Sequence, residues 1–379
     1  MHPTPADSDL HRYMEFHQRQ LLSPGWEAFF DPQLMKTWLA RNVDKLNVDL
    51  VLQYDGTTSP AAHLENLLHT FQPKTAFDSP QTQAIFQPIL EKVKGAAEEI
   101  NVRVRRPIEI VTSTSVGASA ATIPTGADGP HFLFVGLGTS SFCNYWAKAF
   151  TAIVKALARP NPWYRFTRAE DVAAVLRFDP SGIVLAGRLA LAYGMYGSLI
   201  GFGQVNQPPD YLSYRLQVLS AMEVFIVAHE FAHLVADERI PEFRGQLDTE
   251  ASYKLEDFCD QLAVQISKWY ANHDDNFLSF AGLGGILFFR AMELSEFAIE
   301  RVSALSGRPT LPSTAKQRPK LQESGYPSLT ARIRRIKSLA FSTTPDDQRQ
   351  RVVDFVEEYD LIATYLVDFL KDVFGTLGS

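Results

Sequence analysis

The strongest constraint on the fold is a long segment that is apolar on almost every side. Residues 211–236 have helical spacing, and their apolar side chains occupy all faces of that helix. They are Val218, Leu219, Met222, Val224, Phe225, Ile226, Val227, Phe231, Leu234 and Val235. Such a helix has no face for water, so it predicts a position in the middle of a domain. NQPPDY precedes the segment, and Asp210 is the expected N-cap.

The same segment carries three polar residues in the sequence VAHEFAH. His229 and His233 are four residues apart, so on a helix they project from one face, one turn apart. Two imidazoles at that separation can bind one zinc ion at about 2.0–2.1 Å each, and Glu230 beside them can act as a general base. This is the HExxH arrangement of zinc metallopeptidases. The alternative is two hydrogen-bonded histidines of an ordinary core helix, where unpaired polar side chains would be costly to bury.

A catalytic zinc site needs three protein ligands and an open position, so a third ligand must lie elsewhere. The metzincin pattern HxxGxxH does not supply it, because Ala236 and Arg239 stand at its glycine and last histidine. KLEDFCDQLAVQIS has helical spacing and places Glu256 and Asp260 on one face. Glu256 is the predicted third ligand, and Asp260 is predicted to accept the second ring N–H of a zinc-bound histidine. The alternatives are a solvated helix face or another ligand: Asp257, Glu250, Asp260 or Cys259.

HEFAH followed by EDFCD resembles the gluzincin metallopeptidases, whose pattern is HExxH and then ExxxD. The resemblance implies a zinc site of the following composition: ligands His229, His233 and Glu256, the catalytic base Glu230, and Asp260 behind His229. It covers two short helices, under a tenth of the chain. The resemblance therefore indicates zinc-dependent chemistry more specifically than it indicates membership of the gluzincin family.

A second element, YPSLTAR, resembles the HPxxxxR element that follows the ExxxD helix in CAAX-type and related gluzincin endopeptidases. Tyr326 stands where those proteins have histidine, and Arg332 keeps the arginine. Either side chain near the open zinc position would stabilise the oxyanion of a tetrahedral intermediate, so both are candidate catalytic residues. The alternative is a structural helix start with Pro327 at its first position. Because the chain has no predicted spanning helix, the resemblance implies a soluble relative of that group.

Composition limits the partners and the compartment. A net charge of −7 argues against nucleic acid or an anionic membrane as the main partner. Two cysteines, Cys143 and Cys259, form no disulfide framework and no CxxC pair. Residues 1–20 contain no apolar h-region, and the longest apolar run, 277–289, is short for a membrane span and predicts a buried core helix. We therefore expect a cytoplasmic protein with free thiols.

The spacing of apolar residues predicts an α+β, mainly helical chain. The predicted regions are a helical N-terminal region (1–100), a zincin-like metallopeptidase domain with a small β-sheet beside the HExxH helix (101–340), and a C-terminal helix packed on the body (341–379). Zincins commonly hold an extended peptide against an edge strand near the active-site helix. The candidate edge strands are 131–138 and 108–116, and the alternative for 131–138 is a buried core strand.

Together these patterns predict a soluble zinc metallopeptidase, an endopeptidase with one zinc ion per chain and Glu230 as general base. Two other functions stay open: a non-catalytic, zinc-stabilised protein-binding module, and a metal-dependent hydrolase of a non-peptide amide. The expected partner is a protein or peptide substrate. The Pro-, Ser- and Lys-rich segment 307–328 is predicted to be a loop that covers the site until an activating partner moves it. No oligomeric state follows from the sequence.

Overall fold

A computed structural model describes residues 5–22, 26, 30, 37, 71–124, 129–158, 165–244, 247–306 and 327–376. In these residues the chain is mainly helical and contains one three-stranded sheet, which confirms the α+β, mainly helical class. The helices are α1 Pro5–Leu21, α2 Pro80–Glu99, α3 Leu137–Ala158, α4 Ala169–Leu176, α5 Ser181–Tyr196, α6 Leu212–Arg239, α7 Thr249–Asp274, α8 Phe277–Phe280, α9 Leu283–Ser306, α10 Leu329–Ser342 and α11 Asp346–Thr376. The strands are β1 Ile108–Thr112, β2 Ala121–Pro124 and β3 His131–Val135.

Helix α6 is the centre of the fold, and it is the segment that the sequence predicts as a core helix. Helices α2, α3, α7 and α9 pack around it, and strand β2 packs on it as well. Its apolar residues between Val218 and Val235 are buried. Because packed elements surround the helix, side chains on all of its faces are removed from water. The predicted position in the middle of a domain is confirmed.

The start of α6 differs from the prediction. Residues Pro209–Tyr211 form a short 3-10 turn, and the α-helix begins at Leu212 with no side-chain cap. The predicted N-cap, Asp210, therefore lies inside the turn, and this prediction is wrong. The physical reason is the pair of prolines before it, since the fixed φ of Pro209 suits the first position of a helical turn and starts that turn early.

The sheet has the order β1-β3-β2, so β3 is its central strand. β1 pairs with β3 in parallel, and β2 pairs with β3 in antiparallel orientation. Every residue of β3 is buried, with Phe132 and Phe134 against Met14 of α1 and Leu133 in the main core. Residues 131–138 therefore do not form an edge strand that could receive a peptide, and that prediction is wrong. The alternative, a buried core strand, is confirmed.

The apolar run 277–289 is not one helix, as the sequence predicts, but two. The break between α8 and α9 lies at Gly282, whose φ is +72°. Only glycine adopts this left-handed conformation without strain, so the helix ends and restarts there. After the break, Gly284 lies so close to α6 that a Cβ atom would overlap the carbonyl oxygen of Ala221. The break thus lets a glycine-containing face of α9 pack on the central helix.

Helices α10 and α11 complete the described fold. Ser328 is the N-cap of α10, and its side chain accepts a hydrogen bond from the N–H of Ala331. Pro327 precedes this cap, so the alternative that puts Pro327 at the first helical position is wrong. Tyr326 lies outside the described residues, as does most of the predicted covering loop at 307–328. Helix α11 packs on α9 and α10.

One hydrophobic core runs from α2 to α11. It includes Phe86 of α2, Trp146 of α3, Phe225 of α6 and Leu366 of α11. Among the described residues, one helical stretch, Pro209–Arg239, is long and apolar enough to cross a membrane, and 89 % of its most apolar window is buried inside the fold. A helix buried in this way is compatible with the predicted soluble protein.

Candidate metal centre

The predicted site residues come together where α6 packs against α7. They are His229, Glu230 and His233 of α6 and Glu256 and Asp260 of α7. Helix α7 begins with an N-cap at Asp248, whose side chain accepts a hydrogen bond from the N–H of Ala251. Because the helix is regular from this cap onward, the two acidic side chains lie one turn apart and on the same face.

Three potential ligand groups face one another across a short gap. The Nε2 atoms of His229 and His233 are 3.2 Å apart. The carboxylate of Glu256 places Oε2 3.4 Å from Nε2 of His229 and Oε1 3.4 Å from Nε2 of His233. Two donors bound tetrahedrally to one zinc ion at about 2.05 Å would be about 3.3 Å apart. The spacing fits a single zinc-sized ion, and this buried group could hold a metal ion.

The chemistry of the three groups also fits a cation. Oε2 of Glu256 is buried, and its polar neighbours are Nε2 of His229 at 3.4 Å and Nη1 of Arg332 at 3.3 Å. Oδ1 of Asp260 lies 3.1 Å from Nδ1 of His229, so Nδ1 carries the ring proton that Asp260 accepts. In the neutral ring, the lone pair of Nε2 then points at His233 and Glu256. Facing lone pairs and a carboxylate oxygen repel one another in a buried space unless a proton or a metal ion lies between them.

Helix α10 brings a guanidinium to the same place. Arg332 donates two hydrogen bonds to Asp260, from Nη2 to Oδ1 at 2.6 Å and from Nε to Oδ2 at 2.9 Å. Its Nη1 lies 3.3 Å from Oε2 of Glu256, and the guanidinium lies over the ring of Phe289, 4.2 Å from its centroid. The role of Arg332 in stabilising an oxyanion stays a prediction. In the structure it bonds to the carboxylates of α7, and its Nη2 also lies 3.3 Å from Nδ1 and 3.4 Å from Nε2 of His229.

The pKa values of the two histidines move in opposite directions. Burial and Arg332 lower the pKa of His229, but hydrogen bonds with Asp260 and Glu256 outweigh them and raise it to about 9. Burial and the charge of His229 lower the pKa of His233 to about 4. Without metal, the ring of His229 therefore carries a second proton, on Nε2, at neutral pH, while the ring of His233 is neutral and keeps a free lone pair. A metal ion would displace that proton.

The pKa values of Glu230 and Glu256 are also shifted in opposite directions. Burial is the largest influence on Glu230, and it raises the pKa of that carboxyl to about 7. Burial acts in the same direction on Glu256, but the hydrogen bond with His229 and the charge of Arg332 outweigh it and hold the pKa of Glu256 well below its usual range. Glu256 thus stays ionised, as a ligand must, whereas Glu230 can take up and release a proton near neutral pH.

The alternative ligands are placed or engaged differently. Glu250 and Asp257 make ion pairs with a lysine and an arginine near the surface. Cys259 is buried, and burial raises the pKa of its thiol, so the sulfur stays protonated and is a poor ligand. Among the described residues, Glu256 is the acidic side chain that joins the two histidines. Tyr326 lies outside the described residues, so its position is not part of this geometry.

The end of α6 is tied to the sheet by a carboxylate that the sequence analysis does not single out. Glu238 accepts hydrogen bonds from the backbone N–H groups of Arg105 and Arg106, at 2.7 and 3.0 Å. It also lies 3.1 Å from Nε2 of the buried His131, at the start of β3 and 107 residues away in sequence. These bonds hold the sheet against the helix one turn beyond His233. No local pattern reveals a contact between residues so far apart in the chain.

Comparison with known proteins finds no match: no family model, no curated protein and no solved structure matches this chain. The resemblance to gluzincins therefore rests on the short motifs alone. A proposed function has to follow from the chemistry of the group formed by His229, His233 and Glu256 and of the side chains around it.

Proposed function

We propose that this chain is a soluble zinc metallopeptidase, an endopeptidase with a zincin-like core that hydrolyses peptide bonds with Glu230 as general base. The observation that carries the proposal is the close approach of His229, His233 and the Glu256 carboxylate, whose ligand atoms contact one another at 3.2 to 3.4 Å, in a group that also adjoins the buried Glu230. One zinc ion per chain is part of the proposal, as are a cytoplasmic location, a protein or peptide substrate, and no nucleic-acid or membrane partner.

The donor set supports a catalytic rather than a structural metal. Structural zinc sites are closed by four donors that are rich in cysteine, whereas two histidines and one glutamate with an open position are typical of zinc peptidases. Among the described residues, the group contains His229, His233 and Glu256 and no fourth protein donor. A bound zinc ion would supply Lewis acidity, which makes water nucleophilic at neutral pH and polarises a carbonyl oxygen.

Glu230 supplies the proton transfers of the proposed reaction. Its carboxylate takes a proton from water as the water oxygen attacks the carbonyl carbon of the substrate. The same carboxyl then gives the proton to the amine nitrogen as the C–N bond breaks. A pKa of about 7, raised chiefly by burial, suits both transfers near neutral pH. His229 is held for its role by Asp260, which fixes the orientation of the ring.

Strand β2 supports a peptide rather than a small molecule as the substrate. β2 is an edge strand in the described sheet, runs antiparallel to β3 and packs on α6, the helix that carries the two histidines. An extended peptide can add to such an edge through main-chain hydrogen bonds. Of the two stretches that the sequence suggests, 108–116 does contain an edge strand of the described sheet, β1, but we propose β2, Ala121–Pro124, as the peptide-binding strand because it packs on α6.

The experiment combines metal loading with a peptide library. Zinc-loaded wild type, Glu230→Gln and the control Glu242→Gln, at an exposed turn residue, are incubated with mixed peptides, and the products are identified by mass spectrometry. We expect cleavage by wild type and the control and about a thousandfold or greater loss in Glu230→Gln with zinc still bound. Retained cleavage by Glu230→Gln would falsify the mechanism.

Two further outcomes separate the alternative functions. Zinc-loaded wild type that cleaves no peptide but hydrolyses small amides would favour a hydrolase of non-peptide amides. A protein that binds zinc, gains stability from it and hydrolyses neither class would favour the non-catalytic binding module. Cleavage that starts only after a binding partner is added would support the predicted activating partner.

A further inference from the structure

The side chain of Arg332, on α10, contacts two carboxylates of α7: that of Glu256, the proposed third ligand, and that of Asp260, which lies behind His229. All three guanidinium nitrogens of Arg332 contact carboxylates of α7: Nε and Nη2 bond to Asp260, and Nη1 lies near Glu256. Both carboxylates and the guanidinium are buried, with 2 %, 1 % and 9 % of Glu256, Asp260 and Arg332 exposed. Buried carboxylates one helical turn apart repel each other unless a cation lies between them.

We infer that Arg332 is a positioning residue, which sets the metal affinity of the site by holding Asp260 in the orientation that fixes the ring of His229. This inference rests on the metal site of the proposed function. It is a different role from the stabilisation of an oxyanion that the sequence suggests for Arg332. In this role the guanidinium does not touch the substrate and acts through Asp260, which in turn orients the ring of His229.

The geometry of the guanidinium supports this role. Its planar fork bonds both oxygens of Asp260 at once, and such a bidentate pair fixes the carboxylate in direction as well as in position. The ring of Phe289 supports the face of the guanidinium. With the fork in place, Oδ1 of Asp260 is directed at Nδ1 of His229. If the fork is lost, the carboxylate is free to rotate or to take up a proton, and the ring loses its fixed orientation.

Helix α10, which carries Arg332, is itself fixed to α7 at its other end. The amine of Lys268 on α7 donates hydrogen bonds to the carbonyl of Ala340 and the hydroxyl of Thr344, at 2.8 and 2.6 Å. Ile336, midway along α10, packs against Gly285 of α9. Arg332 is therefore held on a rigid element rather than on a loop, which is what a positioning residue requires.

The chain offers a matched control one turn further along the same helix. Arg335 pairs with Asp257 of α7 at 2.7 Å, so it joins the same two helices by the same kind of ion pair. This pair is near the surface, with 42 % and 34 % of the two side chains exposed. Asp257 lies outside the ligand group, so removal of Arg335 disturbs the contact between α7 and α10 without disturbing the ligands.

The experiment measures zinc affinity by competition with a chromophoric chelator, with the stability of each metal-free protein measured in parallel. The proteins are wild type, Arg332→Met, Arg335→Met, Asp260→Asn and the double variant Arg332→Met/Asp260→Asn. We expect Arg332→Met to bind zinc about tenfold to a hundredfold more weakly. Arg335→Met should stay within about twofold of wild type, as expected for a surface ion pair.

The double variant separates positioning from a general structural effect. If Arg332 acts through Asp260, its removal should weaken zinc binding by less than about threefold when Asp260 is already asparagine. The inference would be overturned if the double variant lost zinc affinity by the product of the two single-variant factors. Equal zinc affinity in wild type and Arg332→Met would also overturn it. If Arg332→Met does not fold, Arg332→Lys gives the same comparison, because an ammonium keeps the charge but loses the fork.

The outcomes also distinguish this inference from the proposed function. Wild type that binds no zinc, even with zinc in excess, overturns both. Wild type that binds zinc while Arg332→Met binds it equally well overturns the positioning role alone. Peptide cleavage is not needed for either result.

Discussion

Nδ1 of His229 lies 3.1 Å from Oδ1 of Asp260, although the two residues belong to different helices of the core. The bond places the ring proton on the side of Asp260 and directs Nε2 toward His233 and Glu256. This contact between α6 and α7 therefore orients the ring of His229 so that His229, His233 and Glu256 have the spacing of a metal site.

The first prediction concerns metal content. Glu256→Ala removes the carboxylate that faces both histidines, whereas Asp257→Ala changes its neighbour, which points toward an arginine near the surface. Protein purified without chelators should contain about one zinc ion per chain in wild type and in Asp257→Ala, and much less in Glu256→Ala. Metal analysis of the three proteins checks this. Equal zinc in Glu256→Ala would show that the carboxylate is not a ligand.

Removal of the metal should lower the thermal stability of the protein. A ligand that binds only the folded chain stabilises it, by about 2.7 kcal/mol when its free concentration is a hundred times its dissociation constant. For a chain of this size that corresponds to a shift of several degrees in melting temperature, on the order of 5 °C. The melting temperature of wild type should rise on zinc addition and fall again with chelator, while His233→Asn should respond to neither. A parallel response in His233→Asn would place the zinc elsewhere.

A buried glutamate in α6 predicts a pH-dependent stability. Burial raises the pKa of Glu223 to about 8, although a hydrogen bond with Ser140 opposes the shift. One carboxylate oxygen, Oε1, has no hydrogen-bond partner among the described residues. Between its ordinary pKa near 4.5 and about 8, the unfolded chain is ionised at this position while the folded chain is not. The folded state binds more protons there, so this residue lowers the free energy of unfolding as pH rises through that window.

Glu223→Gln should remove the loss of stability that Glu223 causes in wild type as pH rises. Relative to wild type, the variant should gain roughly 1–4 kcal/mol of stability between pH 5 and pH 8.5. Glu242→Gln, at an exposed turn, should show no such gain. Urea unfolding of metal-free proteins at the two pH values measures it. A difference between wild type and Glu223→Gln that does not change with pH would mean that Glu223 is ionised in the folded protein.

The close contact between α9 and α6 predicts a sharp difference between two glycines. Gly284→Ala places a methyl group against the carbonyl oxygen of Ala221, so it should destabilise the fold by about 1–3 kcal/mol. Gly95→Ala, in α2, meets no atom within 4 Å and should stabilise it by about 0.5–1 kcal/mol through helix propensity. Chemical denaturation of both variants checks the signs. Similar effects from the two substitutions would contradict the packing of α9 on α6.

Much of the candidate site could be predicted because its pattern is local. The spacing of His229 and His233 puts both rings on one face of any helix that contains them. The spacing of Glu256 and Asp260 does the same for a second helix. Apolar residues on almost every side of 211–236 predict that the first helix is buried. Each of these inferences needs only the helical repeat and the cost of burying polar groups.

Other parts could not be predicted because they depend on residues far apart in the chain. The apolar composition of residues 131–138 is the same for an edge strand and for a central strand. Only the pairing of β3 with both β1 and β2 makes it central. Gly282 divides one apolar run into two helices through its left-handed conformation, and the contact of Gly284 with Ala221 of α6 joins residues far apart in the chain.

The sequence by itself determined which side chains can bind a metal and which helix must be buried, since both depend on the spacing of residues within one turn or two. Only the tertiary structure decided what surrounds them. Arg332 and Asp260 are 72 residues apart, and their contact arises because α10 packs on α7. A guanidinium donates the same hydrogen bonds to an oxyanion as to a carboxylate. The motif around Arg332 therefore does not determine its partner, and the packing of α10 on α7 does.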